Sequence, residues 1–408
     1  MMKKCFAFLM MAVMVTLGMP TLAAAQQIGE SQINEERMLA EYLDMLRTRS
    51  QGKNERAFAD SLKERLSELG GEVSEDEAYK AFGGNAGNVF AYFKGNIEGA
   101  PVMMLNAHID TVEPSEGVEP QIVDGVIKPS GKTILGADDK TGVACIIEAL
   151  RTIEEKDIPH ADILVVLTVA EDAGLLGSKN INQELLQQAD FGFSLDGSGK
   201  SGDIFYTAIG ANQLKIVIEG KAAHAGNAPE KGVNAIAIAG KGLAKLVQGR
   251  IDEETTSNVG TIKGGVATNI IADRCEMMAE ARSRSAVKLA QQTKYIGDTF
   301  VQTATENGGK ATVTLLPVME PFNLSMEATP IVLAGQTLTS MGMTPQYRKS
   351  GGGSDANFFN AYGVPTAVIA MGNGANHTSD EYMAIEDLYK SGNLVINLIK
   401  AAGELRKN

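Results

Sequence analysis

The segment VMMLNAHID, residues 102–110, joins a continuous apolar run to a histidine and an aspartate two positions apart. A run without polar alternation is typical of a strand that is covered on both faces of a sheet. Similar runs recur as ILVVLTV (163–169), FGFSL (191–195) and TAVIAM (366–371). Helical patterns separate these runs, notably KTGVACIIEALRTIEE from Lys140. The sequence therefore predicts an α/β fold with a mixed, mostly parallel sheet flanked by helices.

The middle of the chain has a different pattern. Residues 211–320 read as strand, helix, strand, strand, helix, strand, which is the order of a split βαβ, ferredoxin-like α+β unit. A chain of 408 residues also exceeds the roughly 250–300 residues at which a single core stops growing. We therefore expect an inserted domain over 211–320 that divides the α/β domain into a first part, 26–210, and a second part, 321–408.

The first 25 residues contain two lysines followed by an apolar run that ends in LAAA (22–25). This pattern is typical of a cleaved signal peptide, so we expect an exported protein, either periplasmic or secreted. Cleavage after Ala25 would change the formal net charge from −13 to −15, because Lys3 and Lys4 leave and no acidic residue does. Such a charge argues against nucleic acid or an anionic membrane surface as a partner.

Potential metal ligands follow the buried runs. They are His108 and Asp110 after the first run, Glu171 and Asp172 after the second, Asp196 after the third, and His377 after a glycine-containing loop that follows the fourth. Asp138 and Asp139 stand at the start of the helix near Lys140. Because ligands collect at the carboxyl ends of parallel strands, we expect these side chains to meet on one rim of the sheet.

Three of the acidic residues also have a plain structural interpretation. Asp138 and Asp139 could cap a helix, and Asp196 could serve a turn. As a set, together with two of the four histidines of the chain, they favour a metal site. Two Zn²⁺ ions held close together need a shared carboxylate between them, and Glu171 would remain free to take a proton from water.

The ordered motifs HID, GADDKTG, AEDAGLLGS, SLDG, KAAHAG, GGGSDAN and NHTSDE resemble those of the dizinc exopeptidase family. This family includes peptidase T, carboxypeptidase G, succinyl-diaminopimelate desuccinylase and the aminoacylases. GADDKTG and GGGSDAN are closest to the peptidase T-like branch. The resemblance implies a zinc-dependent exopeptidase that hydrolyses the terminal peptide bond of small peptides, as a tripeptide aminopeptidase does, by a metal-bridging hydroxide.

The same resemblance implies two Zn²⁺ per chain, with Co²⁺ or Mn²⁺ as possible substitutes. It also implies that the inserted domain serves as a lid and as the surface of a possible homodimer. An N-acyl amino acid amidohydrolase or a carboxypeptidase of the same family stays open as an alternative. A binding protein for metal or peptide that has lost catalysis is a third.

Roles carry over to individual positions only through this resemblance. His108 and Asp196 would hold one zinc, Asp172 and His377 the other, and Asp138 would bridge them, while Asp110 would orient His108 and Glu171 would act as general base. The family usually has two glutamates where this chain has Glu171 and Asp172. Aspartate is one methylene shorter, so we expect a shifted or weaker second metal position.

The resemblance also implies which residues would contact the substrate. His224 would help to stabilise the oxyanion, commonly across a dimer. Asn269 and Arg282 would bind a carboxylate or carbonyl of the substrate. Gly351, Gly352 and Gly353, ahead of a predicted helix cap at Ser354, would offer backbone N–H groups.

Overall fold

The computed structural model of the protein describes residues 32–406, so the predicted signal peptide lies outside the described residues. Within this range the α-helices are α1 Glu35–Arg47, α2 Arg56–Glu68, α3 Ala137–Glu155, α4 Leu176–Lys179, α5 Gln183–Leu186, α6 Ala235–Lys245, α7 Ala286–Glu306, α8 Thr329–Ser340, α9 Ala356–Ala361 and α10 Ile385–Glu404. None of the helices in this range is long and apolar enough to cross a membrane.

The strands form three sheets. They are β1 Glu72–Glu75, β2 Val89–Phe93, β3 Met103–His108, β4 Pro120–Val123, β5 Val126–Pro129, β6 Ile163–Thr168, β7 Phe191–Gly197, β8 Asp203–Ala208, β9 Gly210–Glu219, β10 Gly249–Arg250, β11 Thr255–Gly264, β12 Arg274–Ser283, β13 Lys310–Met319, β14 Phe322–Asn323, β15 Gln346–Lys349, β16 Thr366–Ala370 and β17 Met383–Ala384.

The first sheet has nine strands in the order β1-β2-β6-β3-β7-β16-β8-β14, with β15 paired to β8. Its four central strands, β6, β3, β7 and β16, run parallel to one another. Antiparallel pairs flank them on both sides. The central strands are the four apolar runs, so the predicted α/β fold with a mixed sheet is confirmed.

Helices cover both faces of this sheet, which explains why the central runs do not alternate. Met103 and Leu105 pack into a core with residues of α1, α3 and α10. Met104 points the other way, into a core that contains Phe359 of α9. Burial on both faces removes the need for polar residues along the strand and leaves polar side chains to its end.

The second sheet is antiparallel, with the order β10-β11-β12-β9-β13. β9 alternates between buried and accessible residues, because α6 and α7 cover only one of its faces. Leu214, Ile216 and Ile218 pack there against Ile296 and Phe300 in a core separate from that of the first sheet. The predicted order of strand, helix, strand, strand, helix, strand is present, with the short β10 added. The roles of this unit as lid and dimer surface stay predictions.

The two chain connections between the sheets meet beside α9. Asn357 donates through Nδ2 to the carbonyl oxygens of Ile209, at 2.9 Å, and Glu320, at 2.7 Å. A Cβ on Gly210 would lie 2.4 Å from Cδ of Pro321. Only glycine fits at that contact, and a single buried amide ties both connections to the first sheet.

Candidate active site

The proposed ligands are delivered by the carboxyl ends of the central strands. His108 is the last residue of β3, Asp196 lies next to the end of β7, and Asp172 follows β6 after a short turn. Asp138 lies at the start of α3, where its backbone is not helical, and the Asp138-Asp139 peptide is cis. His377 lies in the loop after β16 with φ +62°, an uncommon conformation for a residue with a side chain.

The five predicted ligands come together in two groups that share one carboxylate. Nε2 of His108 lies 3.4 Å from Oδ1 of Asp138 and 3.6 Å from Oδ1 of Asp196. Nε2 of His377 lies 3.2 Å from Oδ2 of Asp138 and 3.0 Å from Oδ1 of Asp172. The two oxygens of Asp138 therefore face two different histidine–aspartate pairs.

Asp110 connects His108 to the segment that carries Glu171. Its Oδ1 lies 3.5 Å from Nδ1 of His108 and accepts the backbone N–H of Glu171 at 2.8 Å. All three residues are buried. This position suits the predicted function of Asp110, which is to orient the imidazole.

Acidic groups are concentrated in this cluster, and burial changes several of their pKa values. Burial raises the pKa of Asp196 to about 8, with a further rise from the nearby Asp138 carboxylate. Burial, together with Asp196 and Asp355, raises the pKa of Glu171 well above its usual range. Hydrogen bonds to Asp138 and Asp172 raise the pKa of His377 to about 10. The acids oppose one another's ionisation and hold nearby cations strongly.

The donor set fits metal ions. Oδ1 of Asp138, Oδ2 of Asp172 and Oδ2 of Asp110 are buried oxygens without a hydrogen-bond partner among the described residues. Donor atoms of His108, Asp138 and Asp196 lie within 4.8 Å of one another, as do those of His108, Asp110 and Asp172. Imidazole nitrogens and carboxylate oxygens are ligands for Zn²⁺, and also for Co²⁺ and Mn²⁺. These residues could therefore hold metal.

Sequence reasoning missed the residues that support the cluster. Glu381 accepts the backbone N–H groups of Leu135, Gly136 and Asp138, and Asn376 donates to Oδ2 of Asp138 at 2.9 Å. Both lie in the NHTSDE motif, so their position beside His377 was the available signal. Nothing in that motif indicates that Glu381 is almost fully buried.

Glu55 supports the backbone directly before Glu171. Glu55 is fully buried and accepts the backbone N–H of Ala170 at 2.9 Å. Ala170 has φ +51°, so this bond holds an uncommon backbone conformation directly before Glu171. The pKa of Glu55 is raised to about 7, mainly by burial and then by the charge of Asp110.

His224, Asn269 and Arg282 all belong to the stretch that contains the second sheet. Nδ1 of His224 accepts the N–H groups of Gly226 and Asn227, each at 3.2 Å. His224 and Asn269 are exposed and near each other, since the Asn269 carbonyl accepts the N–H of Ala225. Their predicted contacts with substrate stay predictions.

Arg282 is half-buried on β12 and forms an ion pair with Glu280 at 2.5 Å. The guanidinium group therefore already has a carboxylate partner on its own strand. A substrate carboxylate would have to share the group with Glu280 or displace it, so this role also stays a prediction.

The glycine loop of residues 351–353 is predicted to contact substrate and to precede a helix cap at Ser354. The contact with substrate stays a prediction. The N–H of Gly352 donates to Oγ of Ser350 at 3.1 Å, and a Cβ on Gly353 would lie 2.1 Å from Sδ of Met319. The predicted cap at Ser354 is wrong. Helix α9 begins at Ala356 with Asp355 as its N-cap residue and no side-chain cap. The Ser354 hydroxyl has no hydrogen-bond partner among the described residues, while the Ser354 N–H donates to Oδ1 of Asn357.

A cavity of about 380 Å³ adjoins the cluster. Its lining includes Ser198, Asn373, Asn376 and Tyr382. Asn376 therefore contacts both this space and Oδ2 of Asp138. The cavity thus reaches a residue that contacts the cluster.

Comparisons with known proteins agree with this geometry. The model of peptidase family M20/M25/M40 matches residues 104–401. The aminopeptidase PepT from Bacillus cereus ATCC 10987 is 39% identical, with a TM-score of 0.87 over 91% of this chain and 100% of its own. A tripeptidase from Staphylococcus aureus subsp. aureus Mu50 is 38% identical, with a TM-score of 0.87 over 92% and 100%. The uncharacterized protein YqjE from Bacillus subtilis is 37% identical over 91% of this chain and 100% of its own.

Proposed function

We propose that this chain, which belongs to peptidase family M20/M25/M40 as a peptidase T-like metallopeptidase, is an exported dizinc aminopeptidase acting on tripeptides. The proposal of a tripeptide substrate rests on the similarity to PepT and to the tripeptidase. The proposal of export rests on the first 25 residues alone.

One observation carries the proposed metal centre. The two oxygens of Asp138 lie 3.4 Å from His108 Nε2 and 3.2 Å from His377 Nε2, and each histidine faces one further aspartate. A carboxylate shared in this way offsets the repulsion between two dications. His108 and Asp196 would hold one ion, His377 and Asp172 the other.

Two Zn²⁺ ions, when bound, would acidify water and polarise the carbonyl of the scissile peptide bond. We assign the role of general base to Glu171. This assignment is supported by its position directly before the proposed ligand Asp172 and by the hydrogen bond from its backbone N–H to Asp110. The Glu171 carboxylate takes a proton from the attacking water as the new C–O bond forms. It returns that proton to the leaving amine nitrogen as the C–N bond breaks, which yields an amino acid and a dipeptide.

A substrate panel tests the specificity. We expect the zinc-loaded protein to cleave trialanine to alanine and dialanine, and to cleave dialanine and N-acetyl-trialanine far more slowly. Product analysis of a tripeptide with three different residues should show release of the amino-terminal residue. Release of the carboxy-terminal residue would identify a carboxypeptidase, and efficient cleavage of acetylated substrates would favour an amidohydrolase.

The assigned base is tested by Glu171→Gln. We expect this variant to keep about two metal ions per chain and to lose kcat by roughly 100- to 10,000-fold, the usual contribution of general acid–base catalysis. Glu184→Gln, an exposed glutamate on α5, is the matched control and should leave kcat unchanged. Near-normal turnover by Glu171→Gln would reject the assignment.

Export is tested separately by expressing the full chain in a bacterial host and sequencing the amino terminus of the recovered protein. A product outside the cytoplasm that begins at Gln26 is expected. A cytoplasmic product that retains residues 1–25 would refute this part of the proposal.

A further inference from the structure

The loop of residues 372–382, here called the His377 loop, is closed at its base. Gly374 and Tyr382 exchange two backbone hydrogen bonds, each of 3.0 Å. Glu381 lies inside this closed loop, four residues after His377, and is 1% exposed. The loop therefore holds a histidine and a buried carboxylate in a fixed relation.

Both carboxylate oxygens of Glu381 accept hydrogen bonds from the backbone at the start of α3. Oε2 accepts the N–H groups of Leu135 at 2.8 Å and Gly136 at 2.7 Å, and Oε1 accepts the N–H of Asp138 at 3.0 Å. Gly136 has φ +79°, so the segment turns sharply where it is bound. Charge-assisted hydrogen bonds of this kind are stronger than neutral ones, and together they fix the backbone of Asp138.

The same loop also holds the side chain of Asp138. Nδ2 of Asn376 donates to Oδ2 of Asp138 at 2.9 Å, and Asn373 supports Asn376 through a bond of 3.2 Å to its Oδ1. His377 Nε2 lies 3.2 Å from that same Oδ2. One loop thus contacts Asp138 at its backbone N–H and at a carboxylate oxygen, and supplies the histidine that faces it.

We propose that Glu381, assisted by Asn376, is a positioning residue that orients the shared carboxylate of Asp138 towards both histidines, so that the two metal positions form together. This inference rests on the proposed dinuclear function. Each oxygen of Asp138 serves a different histidine–aspartate pair, so a small rotation of its backbone displaces both positions at once. Loss of Asp172 or Asp196, in contrast, would remove a donor from one pair.

The test compares Glu381→Gln with wild type and with Glu386→Gln, an exposed glutamate in the first turn of α10. The amide of Glu381→Gln places an N–H₂ group where the structure needs an acceptor. Metal affinity is measured by chelator competition with Zn²⁺ and Co²⁺, and coordination by the visible spectrum of the Co²⁺-loaded protein. We expect the affinity for Zn²⁺ and the affinity for Co²⁺ each to fall by about 10- to 100-fold, the usual effect of removing support for a ligand. We also expect an altered Co²⁺ spectrum.

Asn376→Ala provides an independent variant if Glu381→Gln folds poorly. It removes the side-chain contact and leaves the backbone bonds of Glu381 in place. We expect a fall of about tenfold in metal affinity and a smaller spectral change in the same direction. Glu386→Gln should match wild type in every measurement.

Failure of the positioning role can be distinguished from failure of the proposed function. If wild type binds two metal ions and hydrolyses tripeptides, and if Glu381→Gln and Asn376→Ala keep both affinities and the Co²⁺ spectrum, the positioning role is refuted although the proposed function stands. If wild type itself binds fewer than two ions, the dinuclear function fails, and the positioning role fails with it.

Discussion

Charged side chains have opposite surroundings in the two large sheets. At the carboxyl edge of the first sheet, His108, Asp110 and Glu171 are at most 8% exposed. On the second sheet, Arg274 and Glu276 form an ion pair while 53% and 41% exposed. Burial makes the first group strongly interdependent, whereas solvent screens the second. Ionisable side chains therefore indicate function in one region and an ordinary solvated surface in the other.

The largest expected effect is that of Asp138→Asn in the buried group. Removing the shared charge should lower metal content below two per chain and cost several kcal/mol of transition-state stabilisation, or about 1,000-fold or more in kcat/KM. Asp298→Asn on α7, where the carboxylate is 64% exposed, should leave metal content and kcat/KM unchanged, because solvent screens this charge. Metal analysis and kinetics of both variants check the contrast, which would disappear if Asp138→Asn kept two ions and full activity.

The next largest effect is expected from substitutions in the separate hydrophobic cores of the two sheets. Phe300 and Phe193 are both fully buried, the first under the second sheet and the other in the core of the first. Each change to alanine should cost about 3–5 kcal/mol. Hydrogen exchange should show loss of protection confined to β9–β13 for Phe300→Ala and to the central strands for Phe193→Ala. Equal loss in both sheets from either variant would mean that the two cores unfold as one.

Arg282 tests whether the second sheet takes part in binding. If it contacts a substrate carboxylate, Arg282→Ala should lose a charged hydrogen bond of about 1.5–3 kcal/mol and raise KM for tripeptides roughly 10- to 150-fold. Arg274→Ala, on the same strand, is the matched control and should leave KM unchanged. Equal KM values for the two variants would show that Arg282 is only a partner of Glu280.

The smallest expected effect comes from Asp172→Glu, which restores the residue usual in the family that the motifs resemble. Oδ1 of Asp172 already lies 3.0 Å from Nε2 of His377, so the shorter side chain reaches its partner. This contact favours aspartate, in contrast to the weaker position that the sequence comparison predicts. An added methylene should therefore displace the carboxylate and weaken one metal position by about tenfold. A rise in affinity would instead show that aspartate is the poorer ligand here.

Much of the fold could be predicted because its signals are local. The runs at 102–105 and 163–167 lack polar residues since helices cover both faces of their strands, and β9 alternates since helices cover one face. The support of the site could not be predicted in this way. The carboxylate of Glu381 and the backbone of Leu135 are 246 positions apart, and no period in the sequence connects them.

The cap at Ser354 shows the same limit on a smaller scale. Serine before a helix is a common cap, and the local sequence favours it. The structure instead places Asn357 between Ser354 and the two connections of the second sheet. The Ser354 hydroxyl makes no hydrogen bond among the described residues, so the cap that the local sequence favours does not form.

The sequence by itself determined the chemical groups of this protein and their order: apolar strands, each followed by a histidine or a carboxylate, and an α+β stretch between them. Only the tertiary structure decided which oxygen of Asp138 faces which histidine, and that Asn376, 238 positions away, binds one of those oxygens. The physical reason is that strand and helix periods are set by neighbouring residues, whereas a carboxylate is aimed by contacts that exist only after distant segments have packed together.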